Sequence, residues 1–142
     1  MKSAILFFFC SVLLLSCQIE AEEINYGSDA CHFCKMTIVD AQHAAQIVTK
    51  KGKSYKYDAV ECLLSDLPDR KQQELGLIMV NDYNQPGIQI SAVEATFLIS
   101  EAMPSPMGAN LSAFSSASKA ADLKTSNGGQ LYDWETIQKH IP

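Results

Sequence analysis

"HAAQIVTKKGKSYKYDAVECLLSDLP", His43 to Pro68, changes its hydrophobic period partway along. β-branched and aromatic residues flank Lys50-Lys51-Gly52 and predict a hairpin of His43–Thr49 and Ser54–Tyr57. Beyond Asp58, which is placed to cap a helix, Val60, Leu63, Leu64 and Leu67 recur on one face at helical spacing. The predicted helix runs from Ala59 to about Leu67 and is ended by Pro68. "LGLIMVNDY" then reads as a buried strand, Leu75 to Asp82, and "YNQPG" as a turn. The order is strand, strand, helix, strand.

That order recurs in the second half. "AVEATFLIS" reads as a strand and "ANLSAF" as a second. "SSASKAADLKTS" is a helix beginning at Ser115 or Ser116 and stopped by Asn127-Gly128-Gly129. "QLYDW" is a strand, and Asp133 caps a short terminal helix. Residue-level similarity between the halves is faint, so the repeat is one of pattern. Hairpins mixed with helices favour an α+β fold over a doubly wound parallel sheet. The expected organisation is two small ββαβ units, residues 31–86 and 87–142.

The first residues set the compartment. Lys2 precedes an apolar run from Ala4 to Leu15, broken only by Ser11. The run is shorter than the roughly 20 apolar residues of a transmembrane helix, and it reads as an export signal over residues 1–16. Leu14-Leu15-Ser16-Cys17 resembles a bacterial lipobox, which makes Cys17 the lipidated N-terminus and the acyl chains the membrane anchor. Residues 18–30, "QIEAEEINYGSDA", are polar and acidic and predict a flexible tether. Gln18 lacks the aspartate that retains many lipoproteins at the inner membrane, so the expected location is the cell envelope, on the outer membrane facing the periplasm. The net charge of −5 and the absence of a basic patch argue against nucleic acid.

With Cys10 in the signal and Cys17 under lipid, Cys31, Cys34 and Cys62 are the remaining thiols. An odd, small number argues against a disulfide scaffold. "CHFCKM", Cys31 to Met36, follows a tether and precedes a strand, which disfavours thioredoxin-like catalysis because that needs a long helix after the pair. A plain Cys31–Cys34 disulfide stays open. Lys35 in place of histidine excludes c-type haem. Structural zinc wants four ligands, and there is one knuckle; Cys62 reads as a small buried hydrophobe among leucines. A soft ion such as Cu(I), served by thiolates and thioethers, is what these residue types suit. A second methionine locus, "EAMPSPMGAN", puts Met103 and Met107 in a proline-rich loop, where either a ligand role or packing of the loop tip would explain them. Met36 is a ligand candidate or the first core residue of its strand. His32 is a plausible ligand, His43 reads as structural, and His140 as solvated.

"CHFCKMTIVDAQHAAQIV", "YKYDAVECLL" and "MPSPMGANLSAFSSASKAADL…GGQLYDWETI" together resemble the NosL family of copper-binding lipoproteins, over nearly the whole mature chain. The resemblance carries a Cys-x-x-Cys-x-Met block onto Cys31, Cys34 and Met36, and a Pro-Met-Gly loop onto Pro106, Met107 and Gly108. It implies a Cu(I)-binding accessory protein for nitrous oxide reductase. It implies partnership with that enzyme's apoprotein and an ABC-type transporter, and a fold related to organomercurial lyase.

The expectation is therefore a binding and delivery protein, not an enzyme. Cu(I) would be held by a thiolate of Cys31 or Cys34 and the thioether of Met107, with Met36, His32 or Met103 completing the shell. A homodimer sharing one ion is compatible with the sequence. The alternative is a thiol-based envelope oxidoreductase or organomercurial-lyase-like enzyme. Against it, the sequence places only Asp29 and Asp40 near the cysteines as acids. An adaptor with a structural disulfide is a third reading.

Overall fold

The computed structural model describes residues 18–141. The export signal and the lipidation position Cys17 lie outside them. The described residues form two antiparallel sheets and three α-helices, an α+β architecture. β1 (Ala45–Thr49) and β2 (Ser54–Tyr57) form the expected hairpin, in which Ala45 faces Tyr57 and Val48 faces Ser54. Helix α1 (Val60–Asp66) follows, and its chain continues through a 3₁₀ turn, Leu67–Asp69, that contains Pro68. β3 (Leu75–Asn81) returns on the other side of β1. The second unit repeats this plan with β5 (Thr96–Ile99), β6 (Leu111–Phe114), α2 (Ala117–Asn127) and β7 (Gln130–Tyr132), followed by α3 (Trp134–His140). In both units the first strand is central, flanked by the second and third, as the orders β2-β1-β3 and β6-β5-β7 show.

Four local expectations are corrected. Asp58 does not cap α1: Ala59 is the N-cap residue and no side chain bonds there. The Asp58 carboxylate instead accepts the Val39 N–H. "AVEATFLIS" is not one strand, because a turn over 92–94 separates β5 from β4 (Gln89–Ser91). β4 adds to the first sheet by pairing with β3, where Val80 faces Ile90. The expected hairpin strand from His43 starts at Ala45. Residues 18–30, expected as a tether, pack on the first sheet. Ile24 is buried, the Glu22 backbone exchanges hydrogen bonds with the Gln46 side chain, and the Lys56 ammonium donates to the Glu23 carbonyl. One apolar residue and backbone groups available for pairing outweigh the acidic composition.

A single main core joins the units: Ile38, Ile47, Leu63 and Val80 of the first meet Phe97, Leu111 and Ile137 of the second. α1 lies against β1 and β2 and also against β6 of the other sheet, so it is a shared wall. The junction is also polar. His43 Nδ1 lies 2.9 Å from the Asp40 carboxylate, and its Nε2 lies 3.3 Å from Ser112 Oγ on β6. The Tyr83 N–H donates to the Ala113 carbonyl at 2.8 Å. The structural reading of His43 agrees with this position. Ser112 is fully buried, so the Asp40–His43–Ser112 row offers no substrate a path and serves as a staple.

Candidate metal centre

Cys31 to Met36 fold as a tight loop. The Lys35 N–H bonds the Cys31 carbonyl at 3.1 Å, and the Cys31 N–H bonds the Met36 carbonyl at 2.8 Å. An isolated bridge between Ala30 and Thr37 closes the base. Lys35 takes φ of 66°, a left-handed conformation that costs a side-chain-bearing residue about 1 kcal/mol. The His32 N–H donates to the Lys56 carbonyl at 2.7 Å and moors the loop to β2. The loop then lies on α1, and the sulfurs of Cys31, Cys34 and Cys62 all fall within 4.8 Å of one another. All three are free thiols.

Cys62 is thus buried, as its helical context predicts, and is also the third member of the sulfur cluster. That corrects the reading of it as a mere hydrophobe and the count on which zinc was set aside. Among the described residues no fourth His, Cys, Asp or Glu joins the group. A closed tetrahedral zinc site is therefore incomplete, whereas three sulfurs suit an ion content with two or three soft ligands.

Hydrogen bonding divides the three thiols. The Cys62 thiol donates to Cys31, and the backbone N–H groups of Asp58 and Cys34 also point at that sulfur; these outweigh burial and lower the Cys31 pKa to about 4. Burial pushes the Cys34 thiol up, and the neighbouring Cys31 charge adds to this. The Cys62 pKa rises because its proton is engaged by Cys31 and because it is buried. Of the three sulfurs, Cys31 is thus the one whose surroundings favour the thiolate, and Cys34 and Cys62 are the ones held toward the thiol. Asp58 is a buried acid beside the cluster, which the sequence did not place there. Its pKa is raised, chiefly by burial and further by the charges of Cys31, Asp40 and Glu61.

The methionines separate. Met107 is 40% exposed, and with Phe33, Glu61, Cys62, Ser65 and Ala109 it lines an open cavity of about 190 Å³. The fold therefore brings the Pro-Met-Gly loop to a cavity that Cys62 also lines. Met103 is 5% exposed and packs with Leu98, Phe114 and Ala120 in a separate apolar cluster, as the loop-packing reading would have it. Met36 is 47% exposed, so it is not a core residue; its backbone N–H bonds the Cys34 sulfur. The His32 ring stands edge-on to Tyr55 at 4.7 Å and lines a different hollow with Asp29, Ala30 and Lys56. Burial, with Arg70 nearby, lowers its pKa.

A sequence model of the family described as NosL matches residues 23–142. Among solved structures, the crystal structure of the copper chaperone NosL from Shewanella denitrificans matches with a TM-score of 0.72 and 23% identity, covering 83% of this chain and 95% of that one. At that identity the likeness establishes the fold. No curated protein matches the sequence.

Proposed function

The chain belongs to the NosL family, and from that premise we propose that it is an envelope lipoprotein that binds Cu(I) and delivers it for assembly of the metal centres of nitrous oxide reductase. The observation that carries the reading is the cluster of three free sulfurs within 4.8 Å, with Met107 and Cys62 lining one cavity. The solved relative's description as a copper chaperone supports the choice of metal. The donors support the monovalent state, since thiolate and thioether sulfur favour Cu(I).

In this reading Cys31, Cys34 and Cys62 hold the ion from the buried side and Met107 meets it at the open side. Met36, exposed and bonded through its N–H to the Cys34 sulfur, assists exchange more than it retains the ion, and His32, which lines a different hollow, stays outside the shell. Cu(I) needs only two or three soft ligands at a time, so at least one of these four sulfurs can give way to a partner's side chain, and transfer proceeds by ligand exchange with no naked ion released. The function is binding and delivery, not catalysis. Family membership supports the apoprotein of nitrous oxide reductase and an ABC-type transporter as partners. The Leu14–Cys17 lipobox supports a lipid anchor, and Gln18 in place of the retention aspartate supports the outer membrane, facing the periplasm. No helix among the described residues is long and apolar enough to cross a membrane.

Titration with Cu(I) under reducing conditions, against a competing chromophoric chelator, tests this. One ion per chain is expected, with Cys31→Ala and Met107→Ala each weakening binding. Weak binding, or binding indifferent to both substitutions, overturns the proposal.

One observation favours a second reading, cleavage of a carbon–metal bond: Asp58 retains its proton more readily than an ordinary carboxyl and adjoins Cys31. Incubation with an organomercurial decides it, since release of the hydrocarbon would establish lyase activity.

A further inference from the structure

Glu61 is an anomaly in α1. It stands between Val60 and Cys62 on a buried stretch and is 5% exposed. Burying a carboxylate is expensive unless it is bonded. One of its oxygens accepts a hydrogen bond from the Ser105 hydroxyl. The other is buried without a partner, and the side chain lines the cavity shared by Cys62 and Met107.

Ser105 begins the turn that carries Met107. Its carbonyl accepts the Gly108 N–H at 3.0 Å, closing a β-turn over Ser105, Pro106, Met107 and Gly108. Proline at the second position and glycine at the fourth are the residues such a turn prefers, and Gly108 takes a left-handed φ of 81°. Met107 therefore stands at the turn's third corner. Ahead of the turn, buried Met103 roots the loop in the second apolar cluster. The Ser105–Glu61 bond roots it again, on the residue next to Cys62. That bond adds a second tie to the flanking segments in setting the distance between Met107 and the thiols.

We propose that Glu61 and Ser105 form a latch that positions the Met107 thioether over Cys62, making both positioning residues for the metal site although neither need be a ligand. The proposal rests on the copper-binding reading. It explains why a carboxylate is kept in an apolar helix, and why the loop places a serine immediately before the Pro-Met-Gly turn. Groups that orient a metal's ligands are commonly worth about 10- to 100-fold in affinity.

The test uses the full chain with Cu(I) as the probe. Ser105→Ala and Glu61→Ala should each lower Cu(I) affinity about tenfold. Glu61→Gln, which keeps an acceptor for Ser105, should restore nearly all of it. Ser105→Ala combined with Met107→Ala should bind no worse than Met107→Ala alone. Copper K-edge absorption should lose one sulfur neighbour in the alanine variants. In the metal-free protein, the Met107 methyl resonance should move toward its unstructured position in Ser105→Ala and Glu61→Ala but not in Glu61→Gln. Additive losses, an unmoved methyl resonance, or a glutamine variant as weak as the alanine variant would each overturn the latch. Loss of the Met107→Ala effect itself would instead overturn Met107 as a ligand, and the latch with it.

Discussion

The Cys62 thiol donates a hydrogen bond to the Cys31 sulfur, joining helix α1 to the loop that carries the Cys-x-x-Cys pair. The bond performs two tasks that substitution can separate. It favours the thiolate form of Cys31, and it holds a third sulfur where a bound ion would meet it. Cys62→Ser retains a donor but loses the soft ligand, whereas Cys62→Ala loses both. Both variants should bind Cu(I) at least about tenfold more weakly. Ultraviolet thiolate absorbance of the metal-free protein should persist at neutral pH in the serine variant and diminish in the alanine variant. Equal Cu(I) affinity of the parent chain and Cys62→Ser would show that the third sulfur is not a ligand.

The staple between the units makes a prediction about stability. His43 is 3% exposed and bonds Asp40 on one side and Ser112 on the other. Removing the imidazole leaves a buried serine hydroxyl without that partner and opens a void beside Tyr83, whose ring stands edge-on at 5.5 Å. His43→Ala should therefore cost about 2–4 kcal/mol in urea denaturation. Cu(I) stoichiometry of the folded fraction should not change, since the centre is built by Cys31, Cys34 and α1.

Asp82 carries the pH prediction. Burial pushes its pKa up, but hydrogen bonds from the Ser115 side chain, the Asn84 N–H and the Gln85 side chain outweigh it and hold the carboxyl below its ordinary range. The native pKa is depressed, so the ionised form contributes stability above the unfolded value of about 3.9 and loses it as pH falls through the native value. Asp82→Asn should be less stable by about 1–3 kcal/mol at neutral pH. The gap to the parent protein should hold from about pH 7 to about pH 5 and narrow as pH falls further, through the unfolded value of about 3.9 toward the lower native one. A gap that stays constant across that range would show the charge to be irrelevant.

What was legible in the sequence was local chemistry. The β1–β2 hairpin announces itself through β-branched residues around Lys50-Lys51-Gly52, and α2 and α3 start at the caps Ser116 and Asp133. The failures lie where a residue's fate depends on what lies across from it. Nothing in Val60–Leu67 tells a buried cysteine among leucines from one whose sulfur meets two others, because periodicity reports a face and not its partner. Met103 and Met107 sit in the same proline-rich loop, yet one enters an apolar cluster and the other lines the cavity shared with Cys62. The turn at Gly108 and the packing of Phe114 and Ala120 decide between them. Asp58 was legible as a cap by type and position, but the Val39 N–H won its carboxylate. The Ser105–Glu61 bond spans both units and leaves no trace in the spacing of either.

Two glycines separate backbone strain from steric exclusion. Gly108 and Gly129 both take left-handed φ, 81° and 104°. A Cβ on Gly108 would meet nothing within 4 Å, whereas one on Gly129 would fall 2.2 Å from the Ile99 carbonyl oxygen and 3.0 Å from the Ser100 Cα. Those are backbone atoms of β5 and its exit, and β5 is the central strand of its sheet, so they cannot yield cheaply. Gly108→Ala should cost only the conformational term, about 1 kcal/mol. Gly129→Ala adds overpacking of about 1–3 kcal/mol or more to that term, and should lower the melting temperature several times as far. Because Gly108 closes the turn that presents Met107 and Gly129 does not, the ranking should invert for metal binding. Folded Gly108→Ala should release Cu(I) to a chelator faster than folded Gly129→Ala, and equal release rates would mean that the turn's geometry does not govern the thioether.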